Sequence, residues 1–484
     1  MSLICKLLIG GQWLEAQGQA TFARHNPISG KISSQASAAS LKDAAQAASA
    51  AAAAFPTWSN LPPNERRSRL LKAADLFAAH SAEFSARMTA ETGATASWGN
   101  FNVQLACNIL REAASMTTQI CGEQIPSDIP GNLSLAVRQP VGVILGIAPW
   151  NAPVILGVRA IAMPLACGNT VVLKSSELCP ATHALIGELL QQAGLGDGVV
   201  NVVSNAPKDA AEIVRALIEH PAVRRVNFTG STRVGRIIAE TAARQFKPAL
   251  LELGGKNPML VLDDADLDAA VDAATFGAFL NQGQICMSTE RLIVDERVAD
   301  DFLQRLVAKV ARLPVGDPSE GDVVLGPLVT PQAAEHVQAL IERAVAQGAE
   351  LLAGGARHGS ILPPAILDKV TSDMDIYAEE SFGPVLSVIR VKDSEEAIRI
   401  ANDTEYGLSA AIFSRDIARA LQIARRIESG ICHINGPTVH DEAQMPFGGV
   451  KSSGYGRFGG KAGIDAFSEL RWLTIQCGPR HYPF

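Results

Sequence analysis

The sequence of 484 residues lacks the marks of several large protein classes. Its 42 Lys and Arg residues are outnumbered by 49 Asp and Glu residues, and a net charge of −7 offers no basic surface for nucleic acid. The apolar run from Leu3 to Gly11 is interrupted by Lys6, and it is too short to span a membrane or to act as a secretion signal. We therefore expect no nucleic-acid partner, no membrane partner and a cytoplasmic location.

Neither a metal centre nor a disulfide framework is indicated by the sequence. The 8 cysteines are scattered, without a CxxC pair or zinc-ligand spacing. Such usage is typical of a reduced, cytosolic protein, and we expect no metal site. The GxGxxG fingerprint of many dinucleotide-binding proteins is also missing. The cysteines are Cys5, Cys107, Cys121, Cys167, Cys179, Cys286, Cys432 and Cys477.

The sequence does contain a regular alternation of strand and helix patterns. A chain of this length is too long for one core. From Val141 onward, short apolar runs alternate with amphipathic segments, which predicts parallel βαβ units. A second alternating set follows Pro258, so we expect an α/β protein with two domains that meet near 253–255. Two strand-like pieces outside these domains, 125–139 and 470–476, predict a small arm that pairs with another subunit.

Cys286 differs from the other cysteines because it follows the bend Asn281-Gln282-Gly283. A bend can hold a thiol at an open site, where the thiolate can act as a nucleophile. The polar run 288–291 that follows also argues against burial of this cysteine. The alternative is an ordinary buried cysteine, which is how most of the other cysteines are interpreted.

Two upstream residues could complete a covalent catalyst. Glu252 lies among leucines at the end of a predicted strand, and burial would raise its pKa toward the range useful for a general base. Asn151 follows Pro149-Trp150, and its carboxamide could donate a hydrogen bond to an oxyanion. A salt-bridged glutamate and a turn asparagine are the alternatives.

Two polar motifs follow predicted strands and could bind a nucleotide. Gly230 and Ser231 open a helix, where backbone N–H groups can bind phosphate. Lys174 and Glu177 follow the strand 170–173, at the end of a parallel sheet where ligands bind, and they could hold ribose hydroxyls. Each motif alone is weak, since a capped helix and a solvated ion pair explain them equally well.

Seven motifs in this order resemble the aldehyde dehydrogenase superfamily, and the resemblance covers essentially the whole chain. The set is highly specific, although any one motif alone is not. It implies a Rossmann-like NAD-binding domain (1–122 and 142–252), an α/β catalytic domain (253–448) and a small β oligomerisation arm (123–141 and 449–484). The motifs are PWNAP (149–153), KSSE (174–177), FTGSTRVG (228–235), LELGGKNP (251–258), GQICMS (283–288), EESFGPV (379–385) and PFGGVKSSG (446–454).

The resemblance implies NAD-dependent oxidation of an aldehyde to a carboxylic acid. Cys286 would attack the carbonyl as a thiolate, Asn151 would hold the oxyanion, and Glu252 would activate water to hydrolyse the thioester. Glu177 would accept hydrogen bonds from ribose hydroxyls and repel a 2′-phosphate, so we expect NAD rather than NADP. The residues expected to bind the cofactor are Trp150, Lys174, Glu177, Gly230, Ser231, Glu380 and Phe382.

Further segments, among them 97–103 and 434–449, resemble family members that act on aromatic aldehydes such as salicylaldehyde or benzaldehyde. We therefore expect an aromatic substrate and a homodimer or homotetramer, with an aliphatic aldehyde or a semialdehyde as the alternative substrate. Ordinary core packing is the alternative role for the aromatic side chains. The residues expected to line the substrate tunnel are Trp98, Phe101, Arg159, Phe279, Ile285 and Phe447.

Three other functions are compatible with parts of the sequence. An enzyme that passes the acyl group to coenzyme A would not need Glu252 as a hydrolytic base. A thiol hydrolase would not need the cofactor residues Lys174 and Glu177. A binding or structural protein that kept the fold without activity would not need Asn151 or Cys286. The combination of all these residues favours an active dehydrogenase.

Overall fold

The computed structural model describes residues 3–484 and arranges them around four β-sheets. The strands are β1 (Leu3–Cys5), β2 (Leu7–Ile9), β3 (Gln12–Leu14), β4 (Thr21–His25), β5 (Ile32–Ser37), β6 (Glu123–Ile125), β7 (Asn132–Pro140), β8 (Val143–Ile147), β9 (Thr170–Lys174), β10 (Val200–Val203), β11 (Val223–Thr229), β12 (Ala249–Glu252), β13 (Asn257–Val261), β14 (Thr289–Asp295), β15 (Glu350–Ala353), β16 (Ala365–Asp368), β17 (Val385–Val391), β18 (Ser409–Phe413), β19 (Ile431–Ile434), β20 (Gly454–Tyr455) and β21 (Ser468–Gln476).

The α-helices fill the connections between these strands. They are α1 (Leu41–Ser59), α2 (Pro63–Ala79), α3 (Ser81–Thr92), α4 (Ala96–Met116), α5 (Pro153–Arg159), α6 (Ala162–Ala166), α7 (Pro180–Gln192), α8 (Ala210–Glu219), α9 (Thr232–Arg244), α10 (Leu267–Phe279), α11 (Glu296–Val310), α12 (Pro331–Ala346), α13 (Asp375–Ala378), α14 (Ser394–Asn402), α15 (Ile417–Ala424) and α16 (Gly460–Phe467). Within residues 3–484, no helix combines the length and the apolar character needed to cross a membrane.

The first large sheet has the strand order β20-β12-β11-β8-β9-β10-β2-β3, and its five central strands are parallel. Every residue of β8 and β9 is buried, as expected for strands covered by helices on both faces. The Ala-rich helix α1 packs closely on this sheet through Ala44, Ala47 and Ala51, because small side chains allow a close approach. The alternating apolar runs therefore predicted the α/β class correctly.

The second large sheet has the order β15-β16-β17-β14-β13-β18-β19, parallel except for the edge strand β15. The chain crosses from the first sheet to the second through residues 253–256, directly between β12 and β13. Glu252 is thus the last residue of β12, and it lies at the carboxyl edge of a parallel sheet, where α/β proteins bind their ligands.

The two strand-like pieces outside these sheets pair with each other. Strand β21 runs antiparallel to β7 over nine residues, from Ser468 opposite Pro140 to Gln476 opposite Asn132, and β6 completes a three-stranded arm. The segment 449–467, which the sequence analysis assigned to the arm, instead returns to the first sheet. Its strand β20 pairs with β12, and α16 packs on α4 and α6.

A glycine makes this return possible. At Gly454 the backbone has φ +106, and a Cβ would lie 2.0 Å from the carbonyl oxygen of Leu251. Only glycine allows so close an approach between backbones. The short pairing lacks the alternation of apolar and polar residues by which a longer strand is recognised, so the sequence pattern did not reveal it.

Asn169 joins the arm to the first domain at the point where both arm strands leave it. Its side chain is fully buried and makes four hydrogen bonds. The amide oxygen accepts from the backbone N–H groups of Val141 and Gly142 at 2.7 and 3.1 Å. The amide nitrogen donates to the carbonyl oxygens of Pro164 and Phe467 at 3.0 and 2.8 Å. One side chain therefore satisfies backbone groups from three separate segments.

We predict that Asn169→Ala lowers the free energy of unfolding by about 3 kcal/mol or more, because it leaves buried backbone groups without partners. Urea unfolding followed by circular dichroism measures this loss. Asn132→Ala is the control, because Asn132 lies on the arm and, within residues 3–484, its side chain bonds only to the nearby hydroxyls of Ser127 and Ser134. Equal losses in the two variants would contradict the role given to Asn169.

Candidate active site

Cys286 follows a bend with an unusual backbone conformation. Asn281, Gln282 and Gly283 have φ values of 48°, 57° and 70°, so three consecutive residues adopt left-handed geometry. Glycine tolerates this region, whereas glutamine rarely enters it, and such strain persists only where the surroundings impose it. Here the Ser288 hydroxyl donates to the Gly283 carbonyl at 3.0 Å and helps to hold the bend.

The polar run after Cys286 does not have the role that the sequence analysis gave it. Residues 288–291 are all buried, so the polar run is not the reason that Cys286 is partly exposed. Arg291 donates to the carbonyl oxygens of Lys256, Ile400 and Ala401. These carbonyl partners explain how a fully buried guanidinium is accommodated, and Cys286 itself remains half-buried.

Glu252 lies opposite the bend, at the end of β12. The residue is 1% exposed, and neither of its carboxyl oxygens has a hydrogen-bond partner among residues 3–484. Burial raises the pKa of this carboxyl to about 7, while the neighbouring Cys286 thiol and Arg159 lower it to a smaller extent. The thiol faces the carboxyl group but falls short of hydrogen-bond geometry. Glu252 therefore has the acidity that a general base needs near neutral pH.

Burial also raises the pKa of the Cys286 thiol well above its usual value, and the neighbouring carboxyl groups of Glu252 and Glu380 add to this effect. Arg159 acts in the opposite direction. The thiol is therefore protonated at rest, and a base must remove its proton before it can attack. The Glu252 carboxylate is the base that faces it.

Asn151 occupies the third corner of the site. Its amide nitrogen donates one hydrogen bond to the Gln284 carbonyl at 3.0 Å, two residues before Cys286. An amide group carries a second N–H, which remains for an oxyanion beside the sulfur. The backbone carbonyl oxygen of Asn151 accepts from the indole N–H of Trp98 at 2.9 Å and from the side-chain amide of Asn281 at 3.2 Å. The bend and the loop of Asn151 thus hold each other in place.

A cleft of about 270 Å³ opens over these residues. The structure brings all three expected catalytic residues and five of the expected cofactor residues to its walls. A Cβ at position 230 would lie 2.4 Å from the Phe228 ring, so a larger residue would displace this part of the wall. The cleft is lined by Pro149, Trp150, Asn151, Thr229, Gly230, Ser231, Glu252, Leu253, Gly254, Cys286, Glu380 and Phe382.

The far wall of the cleft is formed by Glu380 and Phe382. The Glu380 carboxylate accepts from the Gly255 backbone N–H at 2.9 Å, and burial raises the pKa of this carboxyl to about 8. The Phe382 ring meets Trp150 edge to face, with centroids 5.8 Å apart. Glu290, buried behind this wall, accepts from the backbone N–H groups of Ser381 and Phe382.

The two remaining cofactor candidates lie at the end of β9 and just after it. Lys174 ends β9 beside Ile147, the last residue of β8, and forms an ion pair with Glu177. The amide of Asn205 donates to the Glu177 carboxylate at 2.9 Å. Both charged side chains therefore stand at the same carboxyl edge of the sheet as the cleft.

Four of the six expected substrate residues belong to one buried cluster or contact it. Trp98, Ile285 and Phe447 belong to one buried apolar cluster against which Cys286 packs. Arg159 lies over the Phe447 ring at 4.4 Å and forms a buried ion pair with Asp441 at 2.5 Å.

The other two substrate candidates lie elsewhere. Phe101 stacks on Trp98 with centroids 5.5 Å apart, but it is exposed at the rim. Phe279 is 1% exposed and packs in the core of the second domain, among residues such as Leu292 and Phe302.

Three site residues were missed by the sequence analysis. Asp441 pairs with Arg159, Gln284 accepts the hydrogen bond of Asn151, and Glu290 holds the loop of Phe382. Gln284 lies within the recognised motif 283–288 and Glu290 follows it by two residues, so their position was a usable signal. Asp441 lies in a polar stretch far along the chain, and its sequence neighbours do not reveal its burial.

Comparison with known proteins identifies the group to which this site belongs. Residues 13–473 match the aldehyde dehydrogenase family. The chain belongs to this family. The expectation drawn from the seven motifs is confirmed, and the protein is an oxidoreductase that acts on aldehydes.

Individual aldehyde dehydrogenases are similar over their whole length. Vanillin dehydrogenase from Pseudomonas fluorescens is 66% identical over 477 residues, which cover 99% of each chain. Salicylaldehyde dehydrogenase from Pseudomonas putida is 53% identical over 480 residues, again 99% of each chain. The crystal structure of a salicylaldehyde dehydrogenase from Pseudomonas putida G7, complexed with salicylaldehyde, superposes with a TM-score of 0.98 at 53% identity over 100% of both chains.

We predict that Gly283→Ala lowers kcat/KM of this aldehyde dehydrogenase by about 100-fold, because a small displacement of the nucleophile is enough for such a loss. A Cβ at this position would lie 2.1 Å from the Gly383 carbonyl oxygen. Steady-state kinetics of the purified variant measures the effect.

Gly194→Ala is the matched control. Its φ of +82° resembles the +70° of Gly283, but open space surrounds its Cβ position in the described part of the chain. This control isolates the backbone penalty, about 1–2 kcal/mol of stability. Similar activity in the two variants would show that the bend does not position the thiol.

Proposed function

We propose that this protein oxidises an aromatic aldehyde to the carboxylic acid with NAD, through a thioester on Cys286. The observation that carries this proposal is the arrangement of Cys286, Glu252 and Asn151 around one cleft. The aromatic substrate is supported by Trp98 and Phe447 in the buried apolar cluster against which Cys286 packs, and by relatives named for vanillin and salicylaldehyde.

The chemistry begins with removal of the Cys286 proton by Glu252, whose pKa of about 7 suits a base at neutral pH. The sulfur then adds to the aldehyde carbon, and the carbonyl oxygen gains a negative charge. The second N–H of the Asn151 amide stabilises this oxyanion. Collapse of the oxyanion expels hydride and leaves a thioester. Glu252 releases the proton of the thiol to solvent and then takes a proton from water as the water attacks the thioester. The C–S bond breaks, the carboxylic acid leaves, and Cys286 is released as a thiolate.

Bound NAD would supply the acceptor for that hydride. The residues present fit such a dinucleotide: Ser231 precedes the thirteen-residue helix α9, whose N-terminus attracts phosphate. The walls formed by Trp150 and Phe382 offer apolar faces to a flat ring. Glu380 stands within the cleft as an acceptor for ribose hydroxyls.

Selection of NAD over NADP follows from the charge at Glu177. Its carboxylate can accept hydrogen bonds from the two hydroxyls of the adenosine ribose, with Lys174 beside it. A 2′-phosphate would instead meet a negative charge at short range, which is unfavourable. We therefore infer that NAD is the working cofactor.

The arm supports a homodimer or homotetramer. Strand β21 lies at the edge of the arm sheet, and it exposes Leu470 and Trp472 to 61% and 77%. A long edge strand with apolar side chains is a surface that proteins usually cover. A monomer in sedimentation velocity would contradict this part of the proposal.

The eight cysteines are all free, which agrees with a cytoplasmic location that cell fractionation can test.

We predict that Glu252→Gln slows thioester hydrolysis about 100-fold or more, because the amide cannot activate water. The first turnover should be slower but should persist, since solvent hydroxide can take the proton of the Cys286 thiol in place of Glu252. Stopped-flow absorbance should show a burst of NADH followed by a slow phase. In the wild type, hydrolysis should accelerate as pH rises through about 7, where Glu252 ionises, and then level off.

The exposed Glu320→Gln is the control for this substitution and should behave as wild type. Loss of the burst in Glu252→Gln would show that Glu252 is also indispensable for the attack by Cys286. An unchanged steady-state rate would eliminate Glu252 as the base.

We further predict higher kcat/KM for vanillin, salicylaldehyde and benzaldehyde than for acetaldehyde or a long aliphatic aldehyde. The reason is that Trp98 and Phe447 add aromatic surface to the apolar cluster against which Cys286 packs, and apolar aromatic surroundings favour a flat ring. NADH formation across this panel, repeated with NADP, measures both preferences. A preference for aliphatic aldehydes would discard the aromatic pocket and keep the enzyme class, and faster use of NADP would overturn the role of Glu177.

A further inference from the structure

His183 connects two loops of the active site from a position behind them. It is fully buried in the first turns of α7. Its Nδ1 accepts from the backbone N–H of Ser176 at 3.1 Å, and its Nε2 lies 3.1 Å from the carbonyl oxygen of Pro153. Gly157 packs beside the ring, and a Cβ there would lie 3.4 Å from His183 and 2.6 Å from the end of the Ile186 side chain.

These two partners allow only one form of the imidazole. A backbone N–H can only donate, so Nδ1 must be unprotonated where it meets Ser176. A carbonyl can only accept, so Nε2 must carry the proton where it meets Pro153. Burial lowers the pKa of His183 to about 4, which keeps the ring in this neutral form at physiological pH.

The two loops carry residues with different tasks. Ser176 lies between Lys174 and Glu177, the pair to which ribose binding is assigned, whereas Pro153 follows Asn151 by two residues. The Cys179 thiol adds a weaker contact to the second loop, at 3.9 Å from the Pro149 carbonyl. The start of α7 therefore touches the cofactor side and the oxyanion side of the site together.

The helix that carries His183 is itself firmly anchored. Glu91 is fully buried, and its carboxylate accepts from the backbone N–H groups of Ala181 and Thr182 at 2.8 and 2.9 Å. It also accepts from the hydroxyls of Thr182 and Ser34. The first turn of α7 thus has a fixed position from which His183 can hold both loops.

We propose that His183 is a positioning residue that sets the Lys174–Glu177 loop for NAD through Nδ1 and the Asn151 loop for oxyanion binding through Nε2. This inference rests on the proposed function, because it needs NAD at the first loop and the oxyanion at the second. His183 touches neither substrate nor cofactor in this scheme, and it acts through the backbone of Ser176 and of Pro153.

Two substitutions separate the contacts. In His183→Asn the amide oxygen can replace Nδ1 as the acceptor for Ser176, while the donor to Pro153 is lost. In His183→Gln the amide nitrogen can replace Nε2 as the donor to Pro153, while the acceptor for Ser176 is lost. The dissociation constant of NAD, from quenching of protein fluorescence, and kcat with vanillin are measured for each variant.

We expect opposite patterns in the two variants. His183→Asn should lower kcat about three- to tenfold with NAD affinity nearly unchanged, and His183→Gln should weaken NAD binding about three- to tenfold with kcat nearly unchanged, the loss for one hydrogen bond. Parallel changes in both quantities, or no change in either variant, would overturn the proposal. Ile186→Val on the same helix is the control for a purely structural defect, and it should lower the melting temperature without separating the two readouts.

The wild-type measurements distinguish a failure of the proposed function from a failure of the role given to His183. If the wild type neither binds NAD nor oxidises vanillin, then the proposed function fails. If the wild type does both and the two His183 variants change in parallel, then only the role of His183 fails.

Discussion

The buried carboxyl group of Glu252 is the constraint on which the rest of the site depends. A carboxylate without hydrogen bonds is costly to bury, and that cost raises its pKa to about 7. The group stays in place because β12 is held on both sides, by β11 and by β20. Ser453 adds to this hold, since its hydroxyl donates to the Gly254 carbonyl at 2.6 Å. The burial of Glu252 thus costs stability, and the same burial makes its carboxylate a stronger base.

The nucleophile comes from the other domain, and its loop has to be placed against this carboxyl. The left-handed bend does so at a cost in backbone strain that neighbouring hydrogen bonds offset. Lys256 and Glu290 form a buried ion pair at 2.7 Å beneath the seam between the sheets. Glu290 also accepts a hydrogen bond from the backbone N–H of Phe382. One carboxylate therefore connects the junction of the two large sheets to the wall of the cleft that contains Phe382.

The sequence predicted most of the fold because buried parallel strands have short apolar sequences and are separated by amphipathic helices. It also identified Cys286, Glu252 and Asn151 as residues that could act together, and the structure gathers them at one cleft. It failed where backbone geometry decides the outcome. The buried guanidinium of Arg291 is satisfied by carbonyl groups distant in sequence. Strand β20 pairs with β12 through Gly454, and so short a strand has no alternation of apolar and polar residues that the sequence could reveal. Asp441 and Phe279 show the same limit. The burial of Asp441 against Arg159 and the position of Phe279 in the core of the second domain depend on how distant segments pack, which local sequence does not show.

The resting state of Cys286 also affects how the enzyme withstands damage. Thiolates react with peroxides and alkylating reagents far more readily than thiols do. Because burial and two neighbouring carboxyl groups raise the pKa of the Cys286 thiol, the nucleophile is shielded from oxidation between turnovers. Cys121 and Cys477 stand exposed at the surface, so a mild thiol label would be drawn to them first. Mass mapping of labelled peptides before and after inactivation would reveal this order, and early labelling of Cys286 would refute it.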